Sequence, residues 1–246
     1  MIMAGEVIVD GKMIDKPGTN VNSEANIDIK GCAARYVSRG GTKLEKAIQA
    51  FAVDFTSAAV LDVGASTGGF TDCALQHGAR KVYAVDVGYG QLDWKLRNDP
   101  RVVNLEKTNI RYLPPDAISA KLDIITVDVS FISTRLVFSV LKDLLNKEGV
   151  IISLIKPQFE AGKNQVGKRG VVRDPSVHRK VIADCIGYGE LAGLSCTGIA
   201  FSPITGPRGN IEYFIKLEYY PSQGLKLELD EVINTVVSEA HKQLGG

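Results

Sequence analysis

Residues 60–70 read VLDVGASTGGF, and the fold is decided there. Val60–Val63 is a short apolar run of strand type. Gly64 then permits a tight turn, while Gly68 and Gly69 let backbone approach a ligand where a helix begins. A strand running through a glycine turn into a helix opens a βαβ unit. The spacing is G-x-x-x-G-G, not the G-x-G-x-x-G of nicotinamide enzymes, and no Walker lysine follows.

Moving outward, apolar strands alternate with amphipathic helices from about residue 59, the pattern of a parallel sheet. Strands are expected at 59–63, 81–86, 102–105, 122–128 and 149–155. A helix over about 176–192 precedes two more, at 195–202 and 211–219, joined by the Pro/Gly loop SPITGPRGN. That loop is short enough for a hairpin, so the final strand should run antiparallel. A last helix is expected at about 227–244. The expected class is α/β: a doubly wound, seven-stranded, Rossmann-like sheet of the methyltransferase kind, with its last strand antiparallel.

Residues 1–29 read differently. GEVIVDGKMIDKPG alternates apolar and polar residues around Asp10–Gly11, a hairpin signal, and NIDI at 26–29 supplies another short strand. So few residues cannot make an independent core. The expected division is a partial small domain at 1–29, a linker at 30–41 and the catalytic domain at 42–246.

The chain has 246 residues, 45% hydrophobic, with a formal net charge of +1. The most apolar stretch, 181–200, is broken by Asp184 and Glu190, which suits a core helix better than a membrane span. The start, MIMAGEVIVD, lacks the basic and long apolar regions of a signal peptide. Cys32, Cys73, Cys185 and Cys196 form no CxxC pair and no metal cluster, so free thiols in a reducing cytoplasm and no bound metal are expected. Charge is segregated. Lys30, Arg35, Arg39, Lys43 and Lys46 face only Glu45 within 30–46. Lys163, Lys168, Arg169, Arg173, Arg179 and Lys180 outnumber Glu160 and Asp174 within 160–180. Lys226 and Lys242 are outnumbered by Glu228, Asp230, Glu231 and Glu239 in the tail. Such segregation suits a phosphate-facing surface, with Arg39, Lys163, Lys168, Arg169 and Arg173 as candidate RNA contacts. Two solvated basic loops remain the plainer reading.

Asp62 precedes the glycine turn, where it can hold a ligand ammonium. Asp86 ends the next strand, where an acidic side chain grips both hydroxyls of a ribose. Together they suit S-adenosyl-L-methionine, with its amino-acid end at Gly64, Ala65, Ser66, Thr67, Gly68, Gly69 and Phe70. Asn109 is counted with them. A bare turn with no cofactor is the alternative.

A second set lies at element ends. Asp128 closes LDIITVD and Lys156 closes GVIISLI, so both sit at the carboxyl edge of a parallel sheet, where ligands bind in this fold. Glu212 begins the antiparallel last strand, which returns it to that edge. Lys43 stands in SRGGTKLEKAI, where Thr42 and Glu45 have capping-box spacing and Leu44, Ala47, Ile48 and Phe51 form a helical stripe. A lysine at the first helical position opposes the helix dipole, which hints at a function. Taken singly, Asp128 or Lys156 suits a structural salt bridge as well as catalysis.

SRGGTKLEKA, VLDVGASTGGF, VDVSF, LIKPQFE and NIEYF, in this order, resemble the hemolysin A (TlyA) family of rRNA 2′-O-methyltransferases. That family is related to the FtsJ heat-shock methyltransferases and their Lys-Asp-Lys-Glu tetrad. The resemblance spans essentially the whole chain and implies Lys43, Asp128, Lys156 and Glu212 as the tetrad. It departs at Ala65–Ser66–Thr67, where FtsJ-type enzymes have a longer Ala-Pro turn. Residues 4–29 resemble the second half of the alpha-L RNA-binding motif, so the chain is expected to be N-terminally shortened. The implied partners are ribosomal RNA or ribosomal subunits, with cytidine as the target; no oligomeric state follows.

A ribose hydroxyl is a weak acid, so its proton must leave as the methyl arrives. Lys156 is the expected base if neighbouring positive charge and partial burial disfavour its ammonium, with Lys43 as the source of that charge. Asp128 and Glu212 would orient the lysines and the hydroxyl. Asp128–Val129–Ser130–Phe131 stands where a base-amine methyltransferase has an Asn/Asp-Pro-Pro-aromatic run, and no cysteine sits at a strand end for carbon methylation. A membrane-active hemolysin needs spanning helices or long amphipathic strands, and neither is found. RNA binding without catalysis is the other alternative.

Overall fold

The computed structural model describes residues 2, 7–29, 35–114, 116–118, 121–219 and 229–245. Lys30, Cys32, Lys226, Glu228 and the expected start of the last helix at 227 lie outside the described residues. The chain divides into two compact units, Met1–Arg35 and Tyr36–Gly246.

In the first unit, β1 (Val7–Val9), β2 (Lys12–Ile14) and β3 (Ile27–Ile29) form an antiparallel sheet in the order β2-β1-β3. The β1–β2 turn has φ 49° at Asp10 and φ 78° at Gly11, two consecutive left-handed residues matching the twist of a two-residue hairpin. Asp10 also accepts the Asn26 N–H at 2.9 Å, fastening the approach to β3.

The second unit begins with helix α1 (Gly40–Phe51) and is built on strands β4 (Ala59–Val63), β5 (Lys81–Val85), β6 (Val102–Leu105), β7 (Leu122–Val127), β8 (Leu145–Ile155), β9 (Ser195–Phe201) and β10 (Tyr213–Glu218). The order is β6-β5-β4-β7-β8-β10-β9, with β10 antiparallel to both neighbours and β4 to β8 parallel. The expected seven-stranded sheet is therefore observed. Its order reverses between β4 and β7, the switch point outside which ligands bind in this architecture.

Period-2 alternation sends strand side chains to two cores. Val60, Val82 and Ala84 pack with α1, α2 (Gly69–Gln76) and α3 (Trp94–Arg97). Leu61, Val63, Tyr83 and Val85 pack on the other face with α4 (Arg135–Leu144), α6 (Pro175–Leu191) and α7 (Leu229–Leu244). A one-turn helix, α5 (Pro157–Glu160), sits between β8 and α6. Phe138 is fully buried in the second core, so Phe138→Ala should cost about 3–5 kcal/mol.

One local expectation fails. The capping box at Thr42–Glu45 is not used: α1 begins at Gly40, its N-cap is Arg39, and no side chain caps it. Packing overrides the local signal. A Cβ on Gly41 would lie 2.2 Å from Tyr36 Cγ, and one on Gly69 would lie 2.9 Å from Gly41 N, so the start of α1 presses against Tyr36 and the start of α2. Tyr36, Gly40 and Gly41, inside the stretch expected as linker, thus pack in this unit. Lys43 lies one turn into α1, so its conflict with the dipole, which fades within the first turn, is weaker than expected.

Candidate active site

β4 and β7 end side by side. A Cβ on Gly64 would lie 2.5 Å from the Asp128 carbonyl oxygen, so only glycine, here at φ 87°, lets the two strand ends approach this closely. Two clefts open at this edge. One, about 770 Å³, is lined by Gly64, Ser66, Asp86, Asn109, Asp128 and Phe131 among others. A second, about 650 Å³, is lined by Lys43, Asp128, Lys156 and Glu212 together with Phe131 and Arg208. Asp128 and Phe131 border both.

The four tetrad candidates come together as two ion pairs. Lys43 Nζ lies 2.5 Å from Glu212 Oε2, with the glutamate side chain 1% exposed. Lys156 Nζ lies 2.6 Å from Asp128 Oδ1. Lys156 also donates to Ser130 Oγ at 3.0 Å, and Gln158 Nε2 donates to Glu212 Oε1 at 3.1 Å. Both lysines are thereby held by carboxylates while facing the same cleft. The Phe131 ring stands 4.6 Å from that of Phe159, and Phe131 is 89% exposed at φ 62°. Ser130, Gln158 and Phe159 were not singled out in sequence. Their signal was position: Ser130 and Gln158 each lie two residues beyond a tetrad member, inside VDVSF and LIKPQFE.

Asp86 follows β5 at the mouth of the larger cleft. Its Oδ2 accepts the Ser66 N–H at 2.8 Å and its Oδ1 the Gly88 N–H at 2.7 Å. A carboxylate offers about four acceptor positions, so capacity for two ribose hydroxyls remains. Asn109 accepts the Arg111 N–H at 3.1 Å and lines the same cleft. Ala65, Thr67, Gly69 and Phe70 instead line a smaller recess of about 220 Å³ beside Arg39 and Lys43.

Asp62 and Gly68 line none of these clefts. Asp62 is 0% exposed beneath the turn, accepting the hydroxyls of Thr71 at 2.7 Å and Thr126 at 3.2 Å. It cannot reach a ligand ammonium, so that expectation is corrected: Asp62 ties the glycine turn to α2 and β7. Burial pushes its carboxyl up to about 7, against the pull of the two hydroxyls, and the neighbouring Asp128 adds to the rise. The sequence shows the aspartate but not the two threonines that enclose it.

The basic candidates Arg39, Lys163, Lys168, Arg169 and Arg173 are all exposed. The last four lie on the segment between α5 and α6, which holds one short helical turn, Lys163–Gln165, and a tight turn at Lys168–Arg169 closed by Gly170 N–H to the Gly167 carbonyl at 2.8 Å. Its far end is anchored. Val172 N–H donates to Asn210 Oδ1 at 3.0 Å, and Asn210 Nδ2 donates to the Gly170 carbonyl at 2.9 Å. No helix among the described residues is long and apolar enough to cross a membrane.

Relatives place these features in a wider group. A Bacillus subtilis (strain 168) protein named as an rRNA methyltransferase, YqxC, is 50% identical over 99% of this chain and 87% of its own length. The Mycobacterium tuberculosis (strain H37Rv) protein named 16S/23S rRNA (cytidine-2′-O)-methyltransferase TlyA is 42% identical over 97% of this chain and 90% of its own. A solved structure of a Streptococcus thermophilus protein designated a hemolysin superposes with a TM-score of 0.85 at 43% identity, covering 99% of this chain and 89% of that one. The family model described as FtsJ-like methyltransferase matches residues 36–219, which take in the glycine turn, both clefts and all four residues of the paired ions. With its sheet order, its switch-point clefts and this match in agreement, the chain belongs to the FtsJ-like methyltransferase family.

Proposed function

We propose that this protein transfers the methyl group of S-adenosyl-L-methionine to a ribose 2′-hydroxyl of ribosomal RNA, on a cytidine, in the cytoplasm. The observation that carries the reading is the convergence of Lys43, Asp128, Lys156 and Glu212 on one cleft that shares Asp128 with the cleft of Gly64, Ser66, Asp86 and Asn109. The names of the Bacillus and Mycobacterium relatives support ribosomal RNA as substrate, and the latter supports the cytidine ribose.

The residues present fit the cofactor. A cleft of about 770 Å³ lies in the range of small-molecule sites, and Asp86 keeps unused acceptor capacity at its mouth. Gly64, Ser66, Asp86 and Asn109 would hold it there, with Ala65, Thr67, Gly69 and Phe70 beside its amino-acid end. When bound, S-adenosyl-L-methionine supplies an electrophilic methyl on a positively charged sulfur.

The protein's own part is to place a hydroxyl and remove its proton. Asp128 and Ser130 fix Lys156 Nζ in place, and once this nitrogen has released its ammonium proton to solvent its lone pair accepts the hydroxyl proton as the oxygen attacks. Lys43, held by Glu212, faces the oxygen as negative charge builds on it. Arg39, Lys163, Lys168, Arg169 and Arg173 meet RNA phosphates around the cleft. The three-stranded first unit is read as the strand half of an alpha-L RNA-binding motif. The test is incubation with labelled cofactor and unmodified ribosomal subunits, then mass spectrometry of the nuclease digest. 2′-O-Methylcytidine is the expected product. Label on a base, or RNA binding with no label at all, rejects the reading.

A further inference from the structure

The acceptor cleft has an unbalanced charge. Of the three cations lining it, Lys43 and Lys156 each face a carboxylate, at 2.5 and 2.6 Å. The third is Arg208, which is exposed and has no carboxylate at ion-pair distance among the described residues. The two lysine pairs cancel, and one free guanidinium remains.

Arg208 is also held in register with the chemistry. It lies on the loop between β9 and β10, which is closed by Gly206 N–H to the Asn210 carbonyl at 2.9 Å and by Ser202 N–H to the Glu212 carbonyl at 2.8 Å. A Cβ on Gly206 would come within 2.5 Å of Glu212 Oε1, so this loop presses directly on the glutamate. Two residues past Arg208, Asn210 is 3% exposed and grips the backbone of Gly170 and Val172 from both ends of its amide. The arginine leans over Gly170, where a Cβ would meet Nη1 at 2.9 Å. Its loop is thus bolted to Glu212 on one side and to the basic segment on the other.

We infer that Arg208 seats a phosphate adjoining the ribose that is methylated. This rests on the proposed function, since a nucleotide entering the cleft brings a phosphate that the paired lysines are not free to meet. A guanidinium suits it, offering a planar fork of donors to phosphate oxygens. The seat would fix the nucleotide along its backbone while the tetrad acts on the hydroxyl.

The experiment is an NMR titration of the whole chain with cytidine, cytidine 3′-monophosphate and cytidine 5′-monophosphate. At least one monophosphate should bind the wild type roughly tenfold more tightly than cytidine, as a charged hydrogen bond implies. Arg208→Ala should abolish that advantage and Arg208→Lys should keep part of it, while S-adenosyl-L-methionine affinity and the circular-dichroism spectrum stay as in the wild type. Equal binding of cytidine and both monophosphates by the wild type overturns the inference. So does a phosphate advantage that survives in Arg208→Ala. Either result leaves ribose methylation of subunits, read by mass spectrometry, standing on its own. Absence of that methylation sinks the proposed function and, with it, the catalytic meaning of the seat.

Discussion

Lys43 Nζ and Glu212 Oε2 lie 2.5 Å apart although 169 positions separate them in the chain. The pair joins α1, ahead of the sheet, to the start of β10, so the site is complete only when the whole catalytic unit has folded. Removing one partner of a buried ion pair strands the other charge, at a cost of about 3–5 kcal/mol. Glu212→Gln should therefore lower the melting temperature by roughly 10 °C, at about 2–4 °C per kcal/mol, and depress methyl transfer. Adding Lys43→Met should restore most of the stability but not the activity. A Glu212→Gln protein melting like the wild type would show that the pair is not coupled to the fold.

Lys156 separates chemistry from binding. Its contacts are to Asp128 and Ser130, within the cleft that excludes Asp86 and Asn109. Lys156→Ala should reduce single-turnover methyl transfer by about 10²–10⁴-fold, the usual worth of a general base, with cofactor affinity by calorimetry nearly unchanged. Turnover close to the wild type would mean that another group takes the proton.

Asp86 should behave in the opposite way. Losing a charged hydrogen bond costs about 1.5–3 kcal/mol, so Asp86→Ala should weaken cofactor binding by that amount. Asp86→Asn, which keeps one acceptor for the Ser66 or Gly88 N–H, should fall between. Calorimetry giving the Asp86→Ala protein wild-type affinity would remove Asp86 from the ribose site.

What could be read in advance divides along physical lines. Strand limits such as 59–63 and 102–105 were legible because apolar runs end where glycine or polar residues must turn. Asp128 and Lys156 were legible because each follows such a run at the ligand-binding edge of the sheet. The start of α1 was not, since Gly40 and Gly41 are poor helix formers and are present for a close approach to Tyr36 and Gly69. Asp62 was misassigned because its enclosing hydroxyls, Thr71 and Thr126, lie nine and 64 positions away. Arg208 was overlooked because its loop reads only as turn chemistry, while its importance comes from which charges across the cleft are already paired.

Asp62 and His178 place opposing signs on the pH dependence of stability. Burial pushes the Asp62 carboxyl up to about 7 from its ordinary 3.8. Between those values the folded state binds more protons than the unfolded, so stability falls as pH rises through the window. His178 is 0% exposed; its Nε2–H donates to the Val172 carbonyl at 3.0 Å, and its Nδ1 faces both the Tyr213 hydroxyl at 2.7 Å and His241 Nε2 at 3.0 Å. Burial pushes it down to about 4 from 6.5, so there the unfolded state binds more protons and stability grows with pH. Carboxylates such as Glu106, pulled down to about 2 by Arg97, vary only below their ordinary value of 4.5. From pH 5 to 6.5 the Asp62 and His178 contributions should therefore nearly cancel, and His241, packed on His178 and also lowered by burial, leaves the wild type a shallow rise with pH. Asp62→Asn keeps a polar group between the two threonines but removes the titration. Its stability should climb by about 2 kcal/mol across that interval, at 1.36 kcal/mol per pH unit for one proton. His178→Asn should give the reverse, a decline with rising pH. Urea melts at pH 5.0, 5.5, 6.0 and 6.5 decide it, and an Asp62→Asn slope no steeper than that of the wild type would show that Asp62 is ionised throughout this range.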